Sequence, residues 1–281
     1  MTIELGANRY GKSAIRVVRV VRGQDRHAVR DLTVAVALEG AFEAAHVEGD
    51  NADVIATDTM KNTVYAFASD HLEGSIEAFG RSLAEHFLGF DQVARSTITI
   101  REHRWVPIAF DGAAAPDAFT RDPSITRVAT VVADDEGITT EAGLDDLTVM
   151  KTTKSAFVGF PRDRYTTLPE TTDRIMATQV SARWRYESDD LDYDACFARV
   201  LRTLLEEFAA HESPSVQASA WILGRAVLEH HPEVDEVRMS LPNLHHWLVD
   251  LAPFGLANDG EVFVATREPH GLIEATVRRA E

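Results

Sequence analysis

The sequence predicts an α+β protein made of two like halves. Three observations carry this. At 281 residues, 45% of them hydrophobic, the chain is long enough to build two ordinary cores. Segments of two-residue alternation and segments of helical periodicity follow the order strand–strand–helix–helix–strand–strand, and that order runs twice. Between the two runs lies a turn-rich, apolar-poor stretch, Asp134–Asp146, which reads as a link. The expected domains are residues 1–135 and 136–281.

In the first half, strands are expected at Ala14–Arg22 and Leu32–Glu39 and helices at about Asp58–Asp70 and Ser75–Phe87. A long strand, Arg95–Trp105, is marked by Thr97, Ile98, Thr99 and Ile100, all of high β propensity. A further strand falls near Arg127–Ala133, and the Ala-, Pro- and Asp-rich stretch Asp111–Pro123 reads as an exposed, mobile loop. The second half repeats the order with strands near Leu147–Lys151 and Thr178–Glu187 and helices Tyr193–His211 and Val216–His230. Strands near Glu236–Leu241 and Glu261–Thr266 close it. Two helices cover only one face of a four-stranded sheet, so the other face should be buried by further protein: an oligomer is expected.

Composition narrows the function. The net charge is −17, with 45 acidic against 28 basic residues, which argues against nucleic acid as a partner. The single cysteine, Cys196, excludes a disulfide framework or a cysteine-rich zinc site and sits in an apolar-periodic run as a small core residue. The apolar run from Ile15 to Val21 is broken by arginines, so no membrane span is expected. Met1-Thr2-Ile3-Glu4 lacks a signal-peptide pattern and Arg278-Arg279-Ala280-Glu281 is not a peroxisomal address, so a cytoplasmic protein is expected. Neither His230-His231 nor His245-His246 is spaced to chelate one ion, since neighbours on a helix point about 100° apart and on a strand to opposite faces. No functional metal is expected. Gly11-Lys12-Ser13 is read as lying outside a phosphate-cradling loop, and no Gly-x-Ser-x-Gly elbow is present.

Four segments carry chemistry. Tyr10-Gly11-Lys12 sets a lysine beside a glycine near a strand start. Ile55 to Thr63 brings Thr57 and Asp58 to the start of a helix, where they are good caps but where free N–H groups also attract an anion. In Lys154 to Arg174, aromatic residues alternate with arginines, a mixture that suits a flat ligand with a polar rim. Finally, Ser213-Pro214-Ser215-Val216-Gln217 and Leu241-Pro242-Asn243-Leu244-His245 each place an amide at an element boundary, as a plain turn also would.

In this order the segments resemble the urate oxidase (uricase) family. They read Tyr-Gly-Lys, Ala-Thr-Asp-Thr-x-Lys-Asn-Thr, Phe-x-Gly-Phe-x-Arg-Asp-x-Tyr-Thr-Thr-Leu, Ser-Pro-Ser-Val-Gln and Leu-Pro-Asn-x-His. The resemblance implies two tandem tunnelling-fold (T-fold) domains, each an antiparallel four-stranded sheet with two helices on one face. The sheets close into barrels on oligomerisation, as a homotetramer. It implies oxidation of urate by O2 and water to 5-hydroxyisourate and H2O2, with no metal or organic cofactor. Lys12, Thr57 and His245 match the family's proton relay. Phe157 matches the ring that stacks on the purine, and Arg174 and Gln217 the pair that grips its two edges. The backbones of Asp58 and Val216 reach the ring, Leu168 lines the pocket, and Asn243 matches the amide above the ring where O2 sits. Lys12, Thr57 and Asp58 would come from the neighbour of the chain that supplies Phe157 and Arg174. The alternative is another T-fold enzyme of purines or pterins, a cyclohydrolase or pterin synthase. Those need a clustered His or Cys zinc site, which this sequence lacks.

Overall fold

A computed structural model describes residues 2–280, so the outermost residue of each terminal motif and domain boundary above lies outside the described residues. The chain divides into two compact units. One holds the residues up to Gly143 together with Arg185–Phe197, the other Leu144–Trp184 and the chain from Ala198 onwards.

The first unit opens with β1 (Tyr10–Arg22) and β2 (His27–Gly40), then α1 (Glu43–Val47), α2 (Thr57–His71) and α3 (Ile76–Leu88). β3 (Val93–Glu102), β4 (Trp105–Phe110), β5 (Ala113–Arg121) and β6 (Thr126–Asp134) follow. The sheet order is β1-β2-β3-β6, and each of these pairings is antiparallel. Leu32, Val34, Val36 and Leu38 alternate inward along β2. Met60, Val64 and Ala68 of α2 and Phe79, Leu83 and Phe87 of α3 close the same core from the helices. At Gly80 a Cβ would lie 2.9 Å from Val131 Cγ2, so glycine lets α3 settle directly onto β6. Buried Arg127 and part-buried Arg30 and Arg81 tie Arg185–Phe197 to this unit. Arg127 meets Glu77 at 2.7 Å and Asp194 at 2.5 Å, Arg30 reaches Asp194 at 2.9 Å, and Arg81 forks onto Asp189 at 2.6 and 2.9 Å. Burial pushes the Glu77 carboxyl above its ordinary range, against the pull of Arg127.

The remaining strands run in the order β7 (Gly137–Lys151), β8 (Met176–Tyr186), β9 (Val234–Pro242) and β12 (Leu272–Arg278), and the second unit takes β7 from Leu144 and β8 up to Trp184. The helices are α4 (Tyr193–Ala210) and α5 (Val216–His230), and β10 (His245–Leu248) pairs with β11 (Phe263–Thr266) in a separate hairpin. Cys196, Val200, Leu204 and Phe208 form the buried stripe of α4. Gly224 repeats the role of Gly80, since a Cβ there would meet Val277 Cγ2 at 2.6 Å.

Three expectations are corrected. The supposed link Asp134–Asp146 is a turn at Asp135-Glu136 followed by the first ten residues of β7, whose Thr140, Ala142 and Leu144 alternate inward. The loop Asp111–Pro123 is mostly strand β5, paired back on β4 in an exposed antiparallel hairpin. The strand that follows β9 in the sheet is β12 rather than Glu261–Thr266, because β12 pairs with β9 along its whole length. A fourth correction concerns Lys12. Gly6 stands five residues before Gly11, so the Gly-x-x-x-x-Gly-Lys-Ser spacing of a phosphate loop is complete after all. Gly11, Lys12 and Ser13 nevertheless lie within a paired strand, not in a loop opening a helix. Among the described residues no helix is long and apolar enough to cross a membrane.

Candidate active site

The candidate residues fall into two groups, one in each unit. In the first unit, Tyr10, Gly11 and Lys12 begin β1. A β-bulge between Lys12 and Ile15, with Ala14 at φ 58°, inserts one extra residue opposite β2. Lys12 pairs with Val36 and Ile15 with Val34, and because Val34 and Val36 share the helix-covered face, so do Lys12 and Ile15. Without the bulge, the lysine would point to the other side of the sheet. Gly11 is required by close approach, as a Cβ there would stand 1.9 Å from the Val36 carbonyl oxygen. Tyr10 latches the second motif: its hydroxyl donates to the Ile55 carbonyl at 3.2 Å and accepts from the Ile55 N–H at 2.8 Å.

That latch fixes the entry to α2, where Thr57 is the first helical residue. The cap is Ala56, with no side-chain cap bond, so neither Thr57 nor Asp58 acts as the cap. The Asp58 carboxylate instead takes bonds from Lys61 and from Asn62 at 2.9 Å. Lys61 foremost, then Asn62 and the charge of Lys12, hold it below the usual carboxylate range. The backbone N–H groups of Thr57 and Asp58 have no intrahelical acceptor, and the half-buried Lys12 stands close enough for its charge to act on the Asp58 carboxylate.

In the second unit, Phe157 sits in a short antiparallel bridge with Thr171 (N···O 2.8 and 3.1 Å), which brings Arg174 round onto it. The Arg174 guanidinium lies 5.3 Å from the Phe157 ring centroid, and Phe160 stacks on the same ring at 4.8 Å and 13°. Arg174 Nε is buried without an acceptor among the described residues, and burial pulls the guanidinium pKa down. Ser213 bonds across to Lys154 and Ala156, so the start of α5, with Val216 buried and Gln217 exposed, is anchored beside the Phe157 segment. Ser215 caps α5 by accepting from Ala218 N at 3.1 Å, leaving the Val216 and Gln217 N–H groups without intrahelical acceptors.

Asn243 bridges Thr178 of β8, and Leu244 N–H bonds the Ala177 carbonyl at 2.8 Å. His245 begins β10 and stacks on Trp247 at 5.1 Å. Burial, then Arg174, then His270 hold its imidazole below the ordinary value, hence neutral and proton-accepting near neutral pH. Leu168 lies in the exposed 161–170 loop, its carbonyl taking a 3.3 Å bond from Arg162.

Phe157, Arg174, Val216, Gln217, Asn243 and His245 thus gather around the start of β8, while Lys12, Thr57 and Asp58 gather at the start of β1 and α2. Sequence reasoning did not assign the Tyr10 latch or the partners of Ser213. A tyrosine two residues before a lysine in an otherwise β-branched strand was the available signal for the first.

The fold and these groups define a class: a tandem α+β protein of T-fold units, with an arginine packed on an aromatic ring in one unit and a lysine beside a helix start in the other. Comparison with known proteins makes the class specific. The family model described as Uricase matches residues 8–132 and 140–274. A curated uricase of Arthrobacter globiformis is 50% identical over 278 residues, 99% of this chain and 90% of that protein. Its crystal structure superposes with a TM-score of 0.94, covering 99% of this chain and 96% of that one at 49% identity. The uricase of Dictyostelium discoideum is 39% identical over 97% of this chain and 96% of its own length. The chain belongs to the uricase family.

Proposed function

We infer that the chain oxidises urate with O2 and water to 5-hydroxyisourate and H2O2, using neither metal nor organic cofactor. The observation that carries this is Arg174: a desolvated guanidinium, its Nε unspent, held over an aromatic ring beside the free N–H groups of a helix start. Urate is flat and anionic at neutral pH, with carbonyl and N–H groups round its rim. Phe157 stacks on its face, at about 1–3 kcal/mol by analogy with base–aromatic stacking. Arg174 grips one carbonyl edge, and Gln217, donor and acceptor at once, grips the other with the Val216 backbone. Leu168 borders the pocket.

A neighbouring chain contributes Lys12, Thr57 and the Asp58 backbone. Lys12 and Thr57 with His245 take up and pass on the proton whose loss makes the ring electron-rich, Thr57 being the hydroxyl between the two bases. The dianion gives two electrons to O2, which takes two protons and leaves as H2O2. Water adds its hydroxyl to the oxidised ring at C5 and returns a proton to the relay. Asn243 holds O2 above the ring. The assembly is a homotetramer whose sheets close into barrels, built from domains 1–135 and 136–281, and the protein works in the cytoplasm.

Purified protein mixed with urate should lower its near-UV absorbance while consuming O2 and releasing H2O2 in equal amounts, and should do so after exhaustive chelation. No urate loss at any pH between about 7 and 9, where a general base poised near neutrality works, would sink the assignment.

A further inference from the structure

Behind the Phe157 segment lies a chain of buried polar groups that the chemistry above does not use. His211 Nδ1 is 2.7 Å from the Glu207 carbonyl, and His211 Nε2 is 2.8 Å from Ser219 Oγ. Ser219 Oγ is in turn 2.8 Å from Ser213 Oγ, which stands 3.1 Å from the Ser215 carbonyl and 3.2 Å from Met176 Sδ. His211, Ser213, Ser219 and Met176 are all buried. A valine or alanine at either serine would avoid desolvating a hydroxyl, so a closed polar chain in this place asks for a reason.

Proton bookkeeping gives the chain a direction. A carbonyl only accepts, so His211 Nδ1 carries a proton toward Glu207. Ser219 Oγ, in contact with Nε2, donates to Ser213 Oγ, and Ser213 Oγ donates to the Ser215 carbonyl, at the residue that caps α5. Burial foremost, with Lys151 adding to it, holds His211 below the ordinary imidazole value against the opposing pull of Glu207. Lys154 and Glu212 act at one remove, on Lys151, whose ammonium bonds the His211 carbonyl. Ser213 is the junction. Its backbone binds Lys154 and Ala156 at 2.9 and 2.8 Å, next to Phe157, while its side chain faces the start of α5.

We propose that Ser213 and Ser219, ordered by His211, are positioning residues that set the spacing between the Phe157 ring and the Val216–Gln217 edge, and so govern purine affinity. The role in purine binding rests on the urate reading above; the mechanical coupling does not. Ser219→Ala and Ser213→Ala should each raise the KM for urate about tenfold, as loss of a buried hydrogen bond does, with kcat within about twofold. In ligand-free protein both should quicken amide hydrogen exchange across residues 156–158 and 215–218, with the thermal midpoint showing that each variant is folded. An unchanged KM in both variants overturns the proposal even where exchange quickens, and so does a loss confined to kcat. If the unmodified protein oxidises no urate, the functional assignment fails, and unchanged exchange would then refute the coupling separately. Should Ser219→Ala not fold, Ser213→Ala, which leaves the His211–Ser219 contact in place, carries the test.

Discussion

Arg174→Ala is the sharpest perturbation, because structure predicts opposite consequences for binding and for stability. The guanidinium is half-buried, its pKa is pulled down by burial, and its Nε lacks an acceptor among the described residues. Its contact with Phe157, 5.3 Å to the centroid, exists before any ligand arrives and so largely cancels from the binding difference. What the ligand adds is a charge-assisted hydrogen bond, about 1.5–3 kcal/mol. Removing it should weaken urate binding by about 10- to 150-fold. Steady-state kinetics would show this as a raised KM with a smaller change in kcat, and titration with a purine that cannot be oxidised would show it as a raised Kd. Arg174→Lys should fall between, because an ammonium keeps the charge but loses the planar fork. Stability should hold or rise slightly, since a desolvated group without full partners is removed. An unchanged KM would take Arg174 out of the site. A clear drop in thermal midpoint would make it a structural residue instead.

Lys12→Met and Thr57→Ala should cut kcat by about 100- to 10,000-fold while affinity for urate changes little, as for groups that move protons; collapse of binding instead would make them positioning groups. Mixed assemblies of Lys12→Met and Arg174→Ala chains should regain activity, because some shared sites then hold both native residues, and no gain on mixing would place both in one chain's site. Glu77→Ala should cost about 3–5 kcal/mol by leaving buried Arg127 with Asp194 and the Tyr193 carbonyl alone, read as a urea midpoint; a loss below about 1 kcal/mol would show that the ion pair contributes little. Acid should destabilise the protein. His86, His103, His211, His231 and His245 are all held below the ordinary imidazole value, with burial first among the causes. The unfolded chain therefore binds more protons as pH falls through about 6.5, and the stability present above that value is lost below it. A denaturation midpoint that is flat or rising between pH 7.5 and 5.5, roughly the span of imidazole titration, would contradict this sign.

Much of the fold was legible because burial writes periodicity into sequence. Helix α5 runs over Val216–His230 as expected, and α2 and α3 begin and end within a residue of expectation. Failures came where burial and composition disagree. In β7 the inward set Thr140, Ala142 and Leu144 is interleaved with acidic and glycine residues that otherwise mark a turn. In β4 and β5 both faces are largely exposed and prolines interrupt each strand, so no alternation survives to be read. The pairing of Phe157 with Arg174 was legible from the interleaving of aromatic residues and arginines in one segment. The serines behind them were not, because Ser213 and Ser219 look like turn and helix residues until their hydroxyls are seen to meet.

Tyr-Gly-Lys shows what a short motif encodes when each letter answers a separate physical demand. Tyr10 ties β1 to Ile55 by two bonds from one hydroxyl, and so sets where α2 begins and where Thr57 stands. Gly11 admits β2 at a distance no side chain allows. Lys12 faces the helices only because the bulge at Ala14 inserts one residue and restores Ile15 to the core face. The bulge is the least visible of these in the sequence, since alanine is not a residue that marks positive φ. An ammonium group placed on the core side of a sheet has to be used or neutralised, and at this edge its charge acts on the Asp58 carboxylate at the start of α2. Strain at Ala14 and a lysine turned inward are costs that a purely structural strand end would not carry; the proton-transfer role proposed for Lys12 accounts for both.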